Sequence, residues 1–351
     1  MFTTAEGAGL RVLGAWERLP PGLTHRDVAD VAIDPRDDTV YLFVRHDSQV
    51  IAFDRDGRYL RHFGRGLFTM AHGITVDGEG CVYCVDNADH TVRKFSPRGE
   101  LLLTLGTPGT GAPTGIRTDE PVRIHSVERV RYPGPPFNGC TDIAVTADGD
   151  MFVTDGYGNC RVHRFSAAGE PLGAWGEVGS GPGQFRLPHA IVLDGAGRLL
   201  VADRENDRIQ IFDRTGRYLG EWTDLQRPTD VAVAADGRIF VSELWRPKGN
   251  RGFVGDDPGR DRPSRLTVLD PSGAVLGRWG ASTGAKNAPG NFIAPHGLAI
   301  DSRGSLYVAE VTYTFALAPG WVPADHADHQ LQRFDPRSET LTEPNPEEPS
   351  A

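Results

Sequence analysis

One pattern returns six times along the chain, and it limits the possible folds more than any other feature. The clearest copy, "PHAIVLDGAGRLLVADRENDRIQIFD" at 188–213, reads as an alternating apolar strand, a glycine turn, a second strand, a polar loop and a third strand. It recurs as "HGITVDGEGCVYCVDNADHTVRKFS" from His72, "TDIAVTADGDMFVTDGYGNCRVHRFS" from Thr141, "TDVAVAADGRIFVSEL" from Thr229 and "HGLAIDSRGSLYVAEV" from His296. A weaker copy, "ADVAIDPRDDTVYLFVRHDSQVIAFD", starts at Ala29. A fourth strand is marked by "LGAW" at 172–175, "LGEW" at 219–222 and "LGRW" at 276–279. One such unit cannot bury both its faces, so the repeats predict an all-β, six-bladed β-propeller. The 43 glycines and 26 prolines supply the turns that this many short strands need.

The last repeat lacks a fourth strand, and "LGAW" at 13–16 offers one from the other end of the chain. Residues 11–16 are therefore expected to complete the last blade and close the ring without an open edge. The propeller is expected to span 1–336, with a disordered acidic tail over 337–351.

A net charge of −10 argues against nucleic acid or an anionic membrane as the main partner, and leaves a small molecule or short peptide. The N-terminus shows no basic region followed by an apolar core, and no apolar run is long enough to span a bilayer. Four cysteines in 351 residues are no disulfide framework, so the expected compartment is the cytoplasm.

Aligned in columns, the repeats become chemically specific. The residue opening the first strand is Ala29, His72, Thr141, His189, Thr229 and His296 in turn. First strands line the central channel, so histidines in alternate blades fall on a near-threefold ring. His72, His189 and His296 are candidate metal ligands, with a fourth position open and zinc the first choice. The plainer alternative is three hydrated histidines at a wet channel mouth. The next column places Asp30, Asp142 and Asp230 in the blades without histidine. Strict alternation turns these carboxylates away from the histidine space, toward amides between blades.

A third column, just past the second strand, holds Arg45, Asn87 and Arg204, with Tyr157 in a loop one residue longer. Strand polarity brings it to the same mouth as the histidines. The long insertions 106–139, 245–264 and 312–328 open at that mouth too, where Tyr313, Phe315 and Trp321 offer an apolar wall.

The stretches "HGITVD", "VTDGYGNCRVHRFS", "GQFRLPHAIVL" and "VADRENDRIQIF" carry NHL-type repeats and resemble peptidyl-α-hydroxyglycine α-amidating lyase over about residues 28–335. The resemblance implies a six-bladed propeller with a three-histidine zinc, and cleavage of a carbinolamide N–C bond to an amide and glyoxylate. It places the zinc ligands at His72, His189 and His296, a catalytic tyrosine at Tyr157 and active-site arginines at Arg45 and Arg204. Two departures stand out. The third histidine sits in "Ala294-Pro295-His296-Gly297", where the family has an aspartate after the histidine that helps hold a structural calcium, so calcium is not carried over. The family's disulfide cysteines are replaced by Asn138 and Gly158; Cys140 and Cys160 lie two residues later and are expected to be free thiols, while Cys81 and Cys84 should face opposite sides of a strand.

The expected mechanism is a metal-assisted lyase. Zinc holds an α-hydroxy substrate, Tyr157 is the base, and Arg45 and Arg204 clamp a carboxylate and developing negative charge. A metal-dependent hydrolase on the same ring and a non-catalytic binding propeller are the alternatives.

Overall fold

The computed structural model describes residues 1, 4–14, 16–47, 49–116, 130–249, 259–280 and 286–337. The acidic tail beyond 337, and residues 117–129 and 250–258 within two of the insertions, lie outside these described residues. Six four-stranded antiparallel sheets form the blades of a propeller. The innermost strands are Val28–Ile33, Ala71–Val76, Cys140–Val145, Pro188–Leu193, Pro228–Val233 and Pro295–Ile300. Each packs on the innermost strand of the next blade, and the sixth returns to the first.

The glycine turns that punctuate the repeats work through aspartate. Asp77 Oδ1 accepts the amides of Glu79 and Cys81, while Gly80, at φ +81°, takes the left-handed position that closes the turn. Asp194 and Gly197 repeat this in the fourth blade.

Between blades the seams are aromatic. Phe43, Phe68 and Phe95 meet edge-on between the first and second blades. Trp279, Phe292 and Phe334 cluster between the fifth and sixth, Trp279 meeting Phe334 edge-on and Phe292 tilted against both. Burying each such ring contributes on the order of 1.5–3 kcal/mol, and the seams hold the six sheets around the channel.

In the sixth sheet the outermost strand is Leu10–Leu13, antiparallel to Leu331–Pro336, with Leu10 opposite Pro336 and Leu13 opposite Arg333. The strand is thus shorter and earlier than the 11–16 read from "LGAW". Trp16 leaves the sheet because it has a better burial site. Its ring lies 5.2 Å from Tyr307 and 5.7 Å from Phe53, wedged between the sixth and first blades, and its Nε1 donates to Arg55 O at 2.9 Å.

Candidate active site

Every innermost strand carries a break in pairing near its start. Val28 and Asp30 pair across from Val44 and Phe43, skipping Ala29; Pro188 and Ala190 pair with Asp203 and Ala202, skipping His189. The same break falls at Thr141, Thr229, His296 and His72–Gly73. A bulge re-aims side chains and interrupts the alternation of faces. For that reason the aspartates do not turn away as strict alternation predicts. Asp30, Asp142 and Asp230 line the channel together with the histidine ring, and the channel continues past them as a cavity of about 170 Å³.

Histidines and aspartates lock the six blades in one circle. His72 Nδ1 donates to Thr141 O at 2.7 Å, His189 Nδ1 to Thr229 O at 2.6 Å, and His296 Nδ1 to Ala29 O at 2.7 Å. A carbonyl only accepts, so each Nδ1 carries the proton and each Nε2 presents its lone pair. In the intervening steps Asp30 Oδ2 accepts the Ile74 amide at 2.8 Å, Asp142 Oδ2 that of Ile191 at 2.9 Å, and Asp230 Oδ2 that of Leu298 at 2.6 Å. Every blade is thus bonded to the next through the channel wall, and each histidine strand is fixed two residues past its histidine. Burial drives the three carboxyls upward, Asp142 to about 7, and for Asp30 the charges of Asp230 and Asp142 add to it.

The three imidazoles sit with ring centroids 4.8 Å apart in every pair, and one nitrogen from each lies within 4.8 Å of the others. Burial pushes all three well below the ordinary histidine range. Arg45 adds to this at His72 and His296 and Arg204 at all three, while His72 and His296 also depress His189, and His72 depresses His296. The rings are therefore neutral, as metal ligation requires. Among the described residues the Nε2 of His296 is buried without a hydrogen-bond partner, an arrangement that costs about 1–3 kcal/mol unless something takes its lone pair. Three neutral imidazoles, each oriented from behind by a carbonyl, with an orphan nitrogen among them, are a donor set that can hold a metal ion.

Calcium in the manner of the resembling family does not fit. A Cβ built at Gly297 would lie 2.2 Å from Asp30 Oδ1 and 2.6 Å from Asp30 Cα, so the neighbouring blade already fills that space. Gly73 stands in the same relation to Asp142, and Ala190 is the largest residue at the three equivalent positions. Gly297→Asp should lower unfolding stability by about 1–3 kcal/mol, as overpacking does. A melting curve matching wild type would contradict that account.

Tyr157 reaches into the ring. Its hydroxyl lies 3.3 Å from His72 Nε2 and 3.4 Å from His189 Nε2, and it accepts Arg204 Nη1 at 3.2 Å. The Arg204 guanidinium also stacks over the phenol ring, 5.4 Å from its centroid. One backbone rule brings these residues to the mouth. In all six blades the amide just past the second strand donates to the carbonyl two residues before the bulge: Arg45 to Asp27, Asn87 to Met70, Tyr157 to Gly139, Arg204 to Leu187, Leu244 to Arg227 and Val311 to Ala294. The third blade spends one extra residue, Gly156, whose absent Cβ makes room for Pro188 O; a Cβ there would sit 2.3 Å from it. Arg45 Nε donates to Ala71 O at 3.2 Å, next to His72. Asn87 instead serves the wall, donating to Cys140 O at 3.0 Å.

The insertions brace this mouth. Thr114 Oγ1 donates to Gly158 O at 2.6 Å, which ties the first insertion to the Tyr157 loop, and Asn138 Nδ2 donates to Ala112 O at 2.8 Å within the insertion. Asn138 and Gly158 touch, since a Cβ on Gly158 would lie 2.4 Å from Asn138 Oδ1; these are the positions where the resembling family has its cystine. All four cysteines are buried free thiols, and Cys81 and Cys84 enter different hydrophobic clusters, as opposite faces require. Phe315 and Trp321 form an edge-to-face group with Trp245, which the sequence reading did not include, whereas Tyr313 is separate and lies under Arg26.

Also missed from the sequence are Glu205 and Arg227. Glu205 Oε1 accepts Arg204 Nε at 2.9 Å and Arg227 Nη2 at 2.9 Å, both within the protein interior. The adjacent "RE" at 204–205 is a weak signal, because the second arginine arrives from another blade.

Comparison with known proteins agrees with this frame. The NHL repeat family matches residues 137–165 and 185–212. NHL repeat-containing protein 3 of Mus musculus is 32% identical over 300 residues, covering 80% of this chain and 76% of that protein. Peptidyl-alpha-hydroxyglycine alpha-amidating lyase 2 of Drosophila melanogaster is 30% identical over 256 residues, covering 71% of this chain and 54% of that protein. A solved structure titled "Streptogramin B lyase structure" shares the fold with a TM-score of 0.56 at 14% identity, over 93% of this chain and 97% of that one. With six propeller blades, two of them matched as NHL repeats, and a relative of this kind over 80% of its length, the chain belongs to the family of NHL-repeat β-propellers.

Proposed function

We propose that the protein is a metal-dependent lyase that cleaves the N–C bond of a small N-acyl-α-hydroxyglycine or a similar carbinolamide, with zinc as its metal. The observation that carries this reading is the convergence of three neutral imidazoles, the Tyr157 hydroxyl and the Arg204 guanidinium at one channel mouth. The likeness to a protein named as an α-amidating lyase supports it. His72, His189 and His296 would hold the ion, which when bound supplies a Lewis acid that acidifies a hydroxyl and orients a carboxylate.

The remaining steps belong to the chain. Arg45 and Arg204 present positive charge on different sides of the ring and hold the substrate carboxylate. Tyr157, at the centre of the group, takes the proton of the α-hydroxyl. The oxygen's electron pair then forms the C=O bond of an α-oxo acid, and the C–N pair leaves with the nitrogen. Tyr157 returns its proton to that nitrogen, giving a primary amide. Water is not consumed, and Arg204 stays bonded to the phenolic oxygen while charge moves across it.

The test uses the zinc-loaded full chain and N-benzoyl-α-hydroxyglycine. Equal amounts of benzamide and glyoxylate, formed faster than in buffer alone, are the expected products. Benzoate would assign a hydrolase instead, and no turnover above buffer would leave a binding propeller.

A further inference from the structure

We infer that Glu205 is a positioning residue for Arg204 and, through it, for Tyr157; this rests on the proposed lyase reading of the site. Among the described residues the Glu205 carboxylate takes its hydrogen bonds on Oε1, from Arg204 Nε at 2.9 Å and from Arg227 Nη2 and Nε at 2.9 and 3.1 Å. Its Oε2 is buried without a hydrogen bond and faces Arg246 Nη2 at 3.9 Å. Arg204, Glu205 and Arg227 are 2%, 6% and 2% exposed, so the group is shielded from solvent.

Arg227 is the fixed end of this bridge. Its Nη1 donates to Trp245 O at 3.0 Å, its amide to Asp207 Oδ1 at 2.8 Å, and its carbonyl accepts the Leu244 amide at 3.1 Å. Its φ of +40°, unusual for a side-chain-bearing residue, is held by these bonds. Glu205 carries that fixed point across to Arg204. A guanidinium is planar, so fixing its Nε edge also fixes the direction of Nη1, which is the donor to the Tyr157 oxygen. Burial alone would raise the Glu205 carboxyl, but Arg227, Arg204 and Arg246 together hold it below its ordinary value. The bridge is therefore an anion between two buried cations. Removing its charge leaves the guanidiniums facing each other and frees Arg204 to rotate.

The test is a cycle of four full-length proteins: wild type, Glu205→Gln, Arg204→Ala and the double variant. Glu205→Gln should lower kcat for N-benzoyl-α-hydroxyglycine by roughly 10–100-fold, the usual size of a loss behind a reacting group. In the Arg204→Ala background the same change should alter kcat by less than about twofold, because the residue through which Glu205 acts is already gone. An equal loss in both backgrounds would overturn the inference and leave a purely structural role. A second readout needs no turnover: the Arg204 Nε–H signal in the arginine nitrogen–proton NMR spectrum, identified by its absence from Arg204→Ala. Its hydrogen exchange should quicken at least tenfold in Glu205→Gln, and unchanged protection would also overturn the inference. If wild type turns over no substrate while that signal still responds, the lyase reading fails and the positioning stands. Should Glu205→Gln not fold, Glu205→Asp keeps the charge, shortens the reach and is put through the same cycle with the same criteria.

Discussion

Replacing Tyr157 with phenylalanine is expected to lower kcat by about 10²–10⁴-fold while bound metal stays at the wild-type level. The substitution removes one oxygen, and that oxygen is the point where the site's contacts meet. It lies 3.3 Å from His72 Nε2, 3.4 Å from His189 Nε2 and 3.2 Å from Arg204 Nη1. The rest of the residue stays anchored, because its amide bonds Gly139 and its ring stacks beneath Arg204. The three histidines are unaffected, since each is oriented by a backbone carbonyl on the far side. Loss of rate without loss of metal, read by turnover and elemental analysis on the same preparation, separates proton transfer from ligation. Turnover within about threefold of wild type would remove Tyr157 from the chemistry.

Much of this site could be read from the sequence because propeller geometry turns sequence columns into rings. Six repeats in register are enough to place His72, His189 and His296 on one axis, and the one-residue-longer loop is enough to bring Tyr157 to their mouth. The exception is the local backbone. Period-two alternation is a good guide to a flat strand, but the bulge at the start of each innermost strand lets His189 and the aspartates line one channel. The same limitation moved the closing strand. "LGAW" marks a fourth strand in other blades, yet at 13–16 the tryptophan gains more by filling the seam against Tyr307 and Phe53.

Glu205 was hidden for a different reason. Its importance lies in Arg227, 22 residues away in the next blade, and no column records a contact between blades. The glycine at 297 gains its meaning in the same way, from Asp30 across the ring closure, 267 residues earlier. The aspartate circle is invisible in the sequence for the same reason, because its bonds run from blade to blade. Asp30, Asp142 and Asp230 tie each histidine strand to its neighbour by direct hydrogen bonds to main-chain amides.

Whether the three-histidine ring holds a metal is settled by metal content, measured on wild type beside His189→Ala. The substitution has the largest expected effect of any single change. It removes one of three donors, and two imidazoles do not complete the three-ligand set of an open metal site. It also leaves Thr229 O without its partner, at a cost of about 1–3 kcal/mol, which the aromatic seams between blades should withstand. About one zinc per chain is expected in wild type and near zero in His189→Ala with its β-sheet circular dichroism intact, with turnover lost in parallel. Wild-type protein from zinc-sufficient cells with no bound metal, or a variant that keeps its full metal content, would contradict it.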